Sequence, residues 1–238
     1  MYGIYKMFKE EPCVVICNGP SLNSVYNNEL DQFYTLGSNR LYLRYNPDLL
    51  GICDQVMVHS PELQIAALEA FELSEEVVLS AALKKFFYND VMPDNVFWSN
   101  WANPKKDGEL LGLFSVNPDE ILVSGGTVTY GLLQLALAKG YNKILIVGMD
   151  HTFMGPEGDH FSEEYNEPVG IPYNEEVNAR YGLGAGFWPF SERQFVDKTN
   201  TFFSIAKRVF EENDGWIRNC SSYTECEVFE TDKWENYA

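Results

Sequence analysis

The chain has 238 residues, 45% of them apolar, enough to bury one large core and too many for a disordered segment. Its formal net charge of −18 argues against a nucleic acid polymer or an anionic membrane surface as partner, because both need clustered Lys and Arg. A small phosphorylated ligand stays open, since main-chain N–H groups at a turn or helix start hold phosphate locally. No segment approaches the ~20 apolar residues that span a bilayer, and the first residues lack the basic and apolar regions of a signal peptide. The five cysteines are an odd number and read as reduced thiols of a cytoplasmic protein. Cys220 and Cys226 lack the companion ligands of a zinc site.

In chain order, Val14–Cys17 is a β-branched strand that breaks at once into Asn18-Gly19-Pro20-Ser21. The pattern predicts a buried parallel strand ending in a tight turn whose N–H groups face the strand's carboxyl edge, where open α/β sheets bind ligands. A short helix is expected within Leu22–Gln32. Phe33–Leu36 is a second strand ending at Gly37-Ser38-Asn39-Arg40, and Leu49–Cys53 a third, ending at Asp54. Pro61–Ala70 reads as a helix and Val77–Leu79 as a short strand. Residues 84–118 show no clear periodicity and read as irregular or partly antiparallel. Ile121–Val123 runs into Ser124-Gly125-Gly126-Thr127. Thr127–Lys139 then carries apolar residues on one face, with Gly140 as the C-cap of the best helix in the chain. Ile144–Val147 runs into Gly148-Met149-Asp150-His151. Residues 152–192 hold aromatics among Gly and Pro without a convincing element, the mark of a functional lid. Ser191–Asn213 is the last helix with Ser191 as N-cap, and Trp216–Asn219 and Cys226–Phe229 are closing strands. Alternating strands and helices imply one α/β domain over residues 1–238, Rossmann-like, with a mostly parallel sheet flanked by helices.

Three turns carry the candidate chemistry. Asn18–Ser21 is neither GxGxxG nor a Walker A loop, which disfavours a dinucleotide dehydrogenase and a P-loop NTPase; as a Gly-Pro turn it is also ordinary loop chemistry. Ser124–Thr127 allows close backbone approach to a ligand and offers hydroxyls, or simply caps the helix. Asp150 suits a ribose hydroxyl, a metal or general-base work, or bonds its own loop. His160, in Asp159-His160-Phe161, suits acid–base or metal work, against the alternative of a solvated loop histidine. His59 follows a strand and carries a weak signal.

The order of Asn18-Gly19-Pro20-Ser21-Leu22, Ser38-Asn39-Arg40, Pro47-Asp48 ahead of Asp54, Ser124-Gly125 and Gly148-Met149-Asp150 resembles two related groups. One is the 6-hydroxymethylpterin diphosphokinase-like domain family, and the other is the Campylobacter-type bacterial sialyltransferases. The resemblance covers about residues 12–55 and 120–230. It implies a Rossmann-like domain with a lid on which Asn18, Gly19 and Ser21 hold the nucleotide phosphate and ribose. Asn39 and Asp54 would be further strand-end contacts. Ser124, Gly125 and Thr127 would form the nucleotide-binding turn, with Gly148, Met149 and Asp150 around the ribose or base. One departure stands out. The sialyltransferases place a catalytic His-Ser before the last long helix, where this chain has Phe190-Ser191, so His160 or Asp150 become the candidate bases. The first reading implied is a glycosyltransferase-like enzyme taking a nucleotide-sugar, such as a CMP-sugar, and a small-molecule or glycan acceptor, with no metal. In it the aromatics Tyr165, Tyr173, Tyr181, Phe187 and Trp188 cover the sugar. The alternatives are a diphosphokinase, which moves pyrophosphate from ATP to a pterin alcohol with Mg2+ held by Asp54, Asp150 and Asp159, and a non-catalytic nucleotide-binding module.

Overall fold

The computed structural model describes residues 7–102, 114–152, 160–166 and 192–238. Its centre is an eight-stranded sheet in which every pairing is parallel. The strands are β1 (Cys13–Ile16), β2 (Tyr34–Ser38), β3 (Leu49–Ile52), β4 (Glu76–Ser80), β5 (Val96–Ser99), β8 (Lys143–Val147), β9 (Trp216–Asn219) and β10 (Glu230–Thr231). Their spatial order is β10-β9-β8-β1-β2-β3-β4-β5. From β1 the chain builds outward to β5 on one side, then returns to lay β8, β9 and β10 on the other. The strand order therefore reverses between β1 and β8, and a doubly wound sheet opens its ligand crevice at the carboxyl end of such a point.

The sequence accounts for the centre directly. The β1 residues Cys13, Val14, Val15 and Ile16 are all fully buried, as a strand covered on both faces requires. Alternation sends Cys13 and Val15 into one core and Val14 and Ile16 into the other. The first core lies under α3 (Val128–Ala138) and α5 (Glu192–Glu211). Gly51 in β3 makes room for the Leu132 side chain of α3, whose Cδ2 a Cβ there would meet at 2.9 Å. In α5, Phe202, Phe203, Ala206 and Phe210 form the buried stripe. The second core gathers Leu22, Leu30, Phe161, Tyr165 and Trp234 against β1 and β8. On the far side, α2 (Pro61–Phe71) starts at Ser60, which accepts from Leu63 N.

Several expectations shift. The helix expected within Leu22–Gln32 is a 3-10 turn at Pro20–Ser24 and a single turn α1 (Asn27–Leu30). Within 84–118, β5 pairs parallel with β4, not antiparallel, and β6 (Trp101–Ala102) pairs parallel with β7 (Leu122–Val123) in a separate two-stranded sheet. The closing strand is Glu230–Thr231 rather than Cys226–Phe229. Cys226 and Phe229 are buried in the first core, which explains their apolar signal without a strand. Within the expected lid, only Thr152, residues 160–166 and the start of α5 are described; α4 (Glu163–Asn166) lies in the middle piece. Asp159, Tyr173, Tyr181, Phe187, Trp188, Phe190 and Ser191 fall outside the described residues. No described helix is long and apolar enough to cross a membrane.

Candidate functional site

The β1 and β8 turns are joined to each other. Cys17 N donates to Val147 O at 2.8 Å and Gly19 N to Gly148 O at 2.9 Å. Ser21 donates twice to the Asp150 carboxylate, from its N at 2.9 Å and from its Oγ. Glycine is required at both crossing points. A Cβ at Gly19 would lie 2.6 Å from Gly148 O and 2.7 Å from Asp150 Cγ, and one at Gly148, whose φ is +71°, would run into Cys17 O. This alters the roles expected from sequence. The N–H groups of Cys17, Gly19, Ser21 and Leu22 all bond within the protein, so Gly19 and Ser21 are not a phosphate cradle. They and Asp150 form a buried clamp that fixes the turn. Met149 also differs from the ligand-facing role expected. Its side chain is in the core, and its main chain is tied to Ser221 Oγ and Asn219 Nδ2.

What the clamp leaves at the edge is Asn18. Its Nδ2 donates to Ser38 Oγ at 3.0 Å and to Ser38 O at 3.3 Å, which fixes the amide orientation. Its Oδ1 is buried with no hydrogen-bond partner, and so is Oδ1 of Asn39. Asn39 sits at φ +54°, a left-handed position that Asn tolerates, with its N bonded to Gly51 O. Next to it the Arg40 side chain is buried, and its NH1 donates to the carbonyls of Glu164, at 3.0 Å, and Tyr165.

Those carbonyls belong to the piece that carries His160. Phe161 N donates to Asn18 O at 2.9 Å and Asn23 Nδ2 to Phe161 O at 2.9 Å, which seats residues 160–166 on the first two strand ends. Tyr165 is fully buried, and burial pushes its phenol well above the ordinary tyrosine range, with the nearby Asp54 charge acting in the same direction. The His160 imidazole is half-buried and stacks on the Tyr165 ring, with centroids 4.0 Å apart and planes at 13°. Asn18 and His160 are thus brought together through Phe161 and Tyr165, the Asp54 charge acts on the same Tyr165, and Asp150 holds the Asn18 turn through Ser21.

The third turn reaches the same edge by another route. Ser124 N donates to Ala102 O, so the turn follows the small sheet and not the main one. Gly125 and Gly126 take φ +56° and +95°, and Thr127 caps α3 by accepting from Tyr130 N at 3.4 Å. Thr129 in the first turn of α3 lies 3.4 Å from Cys17 Sγ, which brings the N-terminus of α3 beside the end of β1. Burial pushes the Cys17 thiol up to about 12, so it is not a nucleophile here. His151, at φ +59°, points away from the edge into α5. It lies 3.4 Å from Thr199 Oγ1 and against Phe203, and burial lowers its pKa. Among the described residues no three His, Cys, Asp or Glu side chains group as metal ligands.

Sequence reasoning missed Tyr165 as the partner of His160, Arg40 as the anchor of α4, Ser38 as the holder of Asn18, and Thr129. Ser38 and Arg40 flank Asn39 at a strand end, and that position was their only signal. Tyr165 reads in the sequence only as an aromatic covering the sugar; its contact with Arg40, 125 residues away in sequence, leaves no local signal.

No family model matches the chain, and no curated protein sequence does. The diphosphokinase-like half of the resemblance thus finds no family match. Solved structures do match in fold. The sialyltransferase CstII from Campylobacter jejuni, in complex with the substrate analogue CMP-3FNeuAc, aligns with a TM-score of 0.54 at 13% identity, over 96% of this chain and 89% of that one. A variant of CST-II in complex with CMP aligns with a TM-score of 0.52 at 12% identity, over 93% of this chain and 86% of that one. The likeness is one of fold.

Proposed function

We propose that this chain is a glycosyltransferase-like transferase that binds a nucleotide-activated sugar, with a CMP-sugar as donor, and passes the sugar to a small-molecule or glycan acceptor. The observation that carries the reading is the pair of buried, unbonded amide oxygens of Asn18 and Asn39 at the point where the strand order reverses. A buried acceptor with no donor is costly, and a ligand bearing hydroxyl or amine donors relieves it. Ribose hydroxyls and the cytosine amine are such donors. The fold shared with structures solved in complex with CMP supports that choice of nucleotide. Ser124, Gly125 and Thr127, at the start of α3, form the phosphate side of this site.

In this reading His160 is the general base. An imidazole is the side-chain type suited to proton transfer near neutral pH, and the His160 ring is held against Tyr165. Asp150 serves as the clamp of the Asn18 turn, because both its oxygens accept from Ser21. That commitment also disfavours the diphosphokinase alternative, which needs Asp150 among its Mg2+ ligands. A cytoplasmic location belongs to the same reading and rests on the five unpaired cysteines, four of them buried.

The test is a thermal-shift panel of CMP, CMP-sugars, UDP-sugars, GDP-sugars and ATP, each with and without Mg2+. A ligand at 100 times its Kd stabilises by about 2.7 kcal/mol. CMP and a CMP-sugar should shift the melting temperature without Mg2+, and Asn18→Ala combined with Ser124→Ala should weaken CMP in titration calorimetry. A shift confined to ATP with Mg2+ overturns the reading.

A further inference from the structure

We propose that Arg40 and Tyr165 are positioning residues that fix the imidazole of His160 over the carboxyl edge of the sheet. The proposal rests on the glycosyltransferase-like reading for what His160 does there. The placement itself stands on contacts alone.

Arg40 is an unusual use of a cation in this chain. The net charge is −18, so acidic partners abound. The ion pairs among the described residues nevertheless join Lys139 to Glu76, Arg208 to Glu212 and Arg218 to Asp232, and none includes Arg40. Arg40 is instead 3% exposed and gives NH1 to two successive main-chain carbonyls, those of Glu164 and Tyr165. Its guanidinium also lies 5.7 Å from the centre of the Tyr165 ring. A rigid fork of donors holding both the main chain and the ring of one residue sets where that ring sits.

The Tyr165 ring then acts as a plate. It is 1% exposed, it meets Phe161 edge-on at 5.3 Å, and it stacks against the near-parallel His160 ring at 4.0 Å. The Phe161 bonds to Asn18 and Asn23 hold the main chain just beyond His160. The five residues 161–165 beside His160 are thus pinned at both ends, by Asn18 and Asn23 at Phe161 and by Arg40 at residues 164 and 165. A histidine on an ordinary solvated loop needs neither anchor nor plate. A base that must meet a substrate hydroxyl within hydrogen-bond reach needs its ring held.

The chain has three histidines, His59, His151 and His160, so the imidazole proton resonances can be assigned with single His→Gln variants and then followed by NMR in the full-length protein. In the wild type the His160 ring protons should lie upfield of free histidine, shielded by the Tyr165 ring. Tyr165→Leu and Arg40→Met should move them toward free histidine while the His59 and His151 signals stay in place. Tyr165→Phe, which keeps the ring, should restore the shift. In a CMP-sugar turnover assay, Tyr165→Leu and Arg40→Met should lower kcat by about 10²-fold, the cost of a displacement on the order of 1 Å, with KM for the donor little changed. Tyr165→Phe should recover most of the turnover lost in Tyr165→Leu. His160 resonances unmoved in folded Tyr165→Leu overturn the proposal, and so does an unchanged kcat in a variant whose His160 signals have moved. If Arg40→Met unfolds and all three signals collapse together, the Tyr165→Leu and Tyr165→Phe pair decides. Wild-type protein that turns over no CMP-sugar refutes the function reading instead, and the resonance positions still decide where His160 is held.

Discussion

Asp150→Asn against Asp150→Ala separates a clamp from a general base. Asp150 is 6% exposed and Ser21 9%, and two charge-assisted hydrogen bonds from Ser21 end on the carboxylate. Alanine leaves the Ser21 N–H and Oγ without a partner in a buried place. A hydrogen bond to a charged group contributes about 1.5–3 kcal/mol, and an orphaned buried donor costs about 1–3 kcal/mol. The two bonds share one residue and are not additive, so a loss of about 3 kcal/mol is expected for Asp150→Ala. In a domain of this size 1 kcal/mol moves Tm by about 2–4 °C, which gives a fall of about 6–12 °C. Asparagine can still accept from Ser21 N with its Oδ1 and donate to Ser21 Oγ with its Nδ2. Asp150→Asn should therefore keep most of the stability and, in the reading where His160 is the base, most of the turnover. Calorimetric unfolding of both variants, closed into a double-mutant cycle with Ser21→Ala, reads the coupling directly. Additive losses in that cycle would refute the clamp. A turnover loss of about 10²-fold or more in a stable Asp150→Asn variant, the usual contribution of general acid–base catalysis, would return Asp150 to the role of base.

Two further outcomes follow from the site. His151 is held neutral by burial against Thr199 and Phe203, opposed by Asn200 and the Glu225 charge. Its folded pKa is lowered, so below about pH 6.5 the unfolded chain takes up a proton that the folded chain does not. The stability His151 contributes is thus complete above that pH and is lost as pH falls toward the lowered folded value. His151→Asn, which tolerates the left-handed backbone, should show a smaller drop in Tm between pH 7 and pH 5.5 than the wild type, and equal slopes would refute the assignment. CMP should bind no more than about 30-fold tighter than cytidine, because the turn N–H groups of Cys17, Gly19, Ser21 and Leu22 are bonded internally and, among the described residues, the start of α3 is the helix end at this edge. A helix N-terminus contributes up to about 2 kcal/mol to an anion, or about 30-fold in Kd. A CMP preference on the order of 10³-fold or more in calorimetry would show that other cations hold the phosphate.

The parts of the fold that sequence revealed are those written locally. Val14–Cys17 and Ile144–Val147 are short aliphatic runs stopped by turn residues, and they became adjacent central strands almost residue for residue. Thr127–Lys139 carried its own cap and periodicity and became α3. The errors lie where a long-range partner decides. Nothing near Ser21 tells that its N–H faces a carboxylate 129 residues away, so a clamp reads as a phosphate cradle. The direction of β5 depends on its pairing with β4, which residues 96–99 do not encode. Cys226 and Phe229 show the apolar pattern of a strand because a loop buries them beside α5, while the pairing passes to the polar Glu230–Thr231. Tyr165 and Arg40 carry no sequence signal that they meet, and they are joined only by contacts spanning more than 120 residues.

Under the proposed function, the same internal bonding bears on how so acidic a chain would take a nucleotide ligand. A polyphosphate site in a protein of net charge −18 would need a dense cradle of N–H groups or cations. The β1 and β8 turns turn their N–H groups inward, and the amide oxygens of Asn18 after β1 and Asn39 after β2 are buried without a hydrogen-bond partner. Acceptors of that kind select donors, which are the hydroxyls of a sugar and the amine of a base, and they repel bare phosphate. The one buried guanidinium beside them, Arg40, is committed to main-chain carbonyls through NH1. In the proposed reading, recognition at this edge is of nucleoside and sugar more than of phosphate. A transferase that releases a nucleoside monophosphate from a sugar asks for that balance, whereas a kinase gripping a triphosphate and its metal asks for the opposite one.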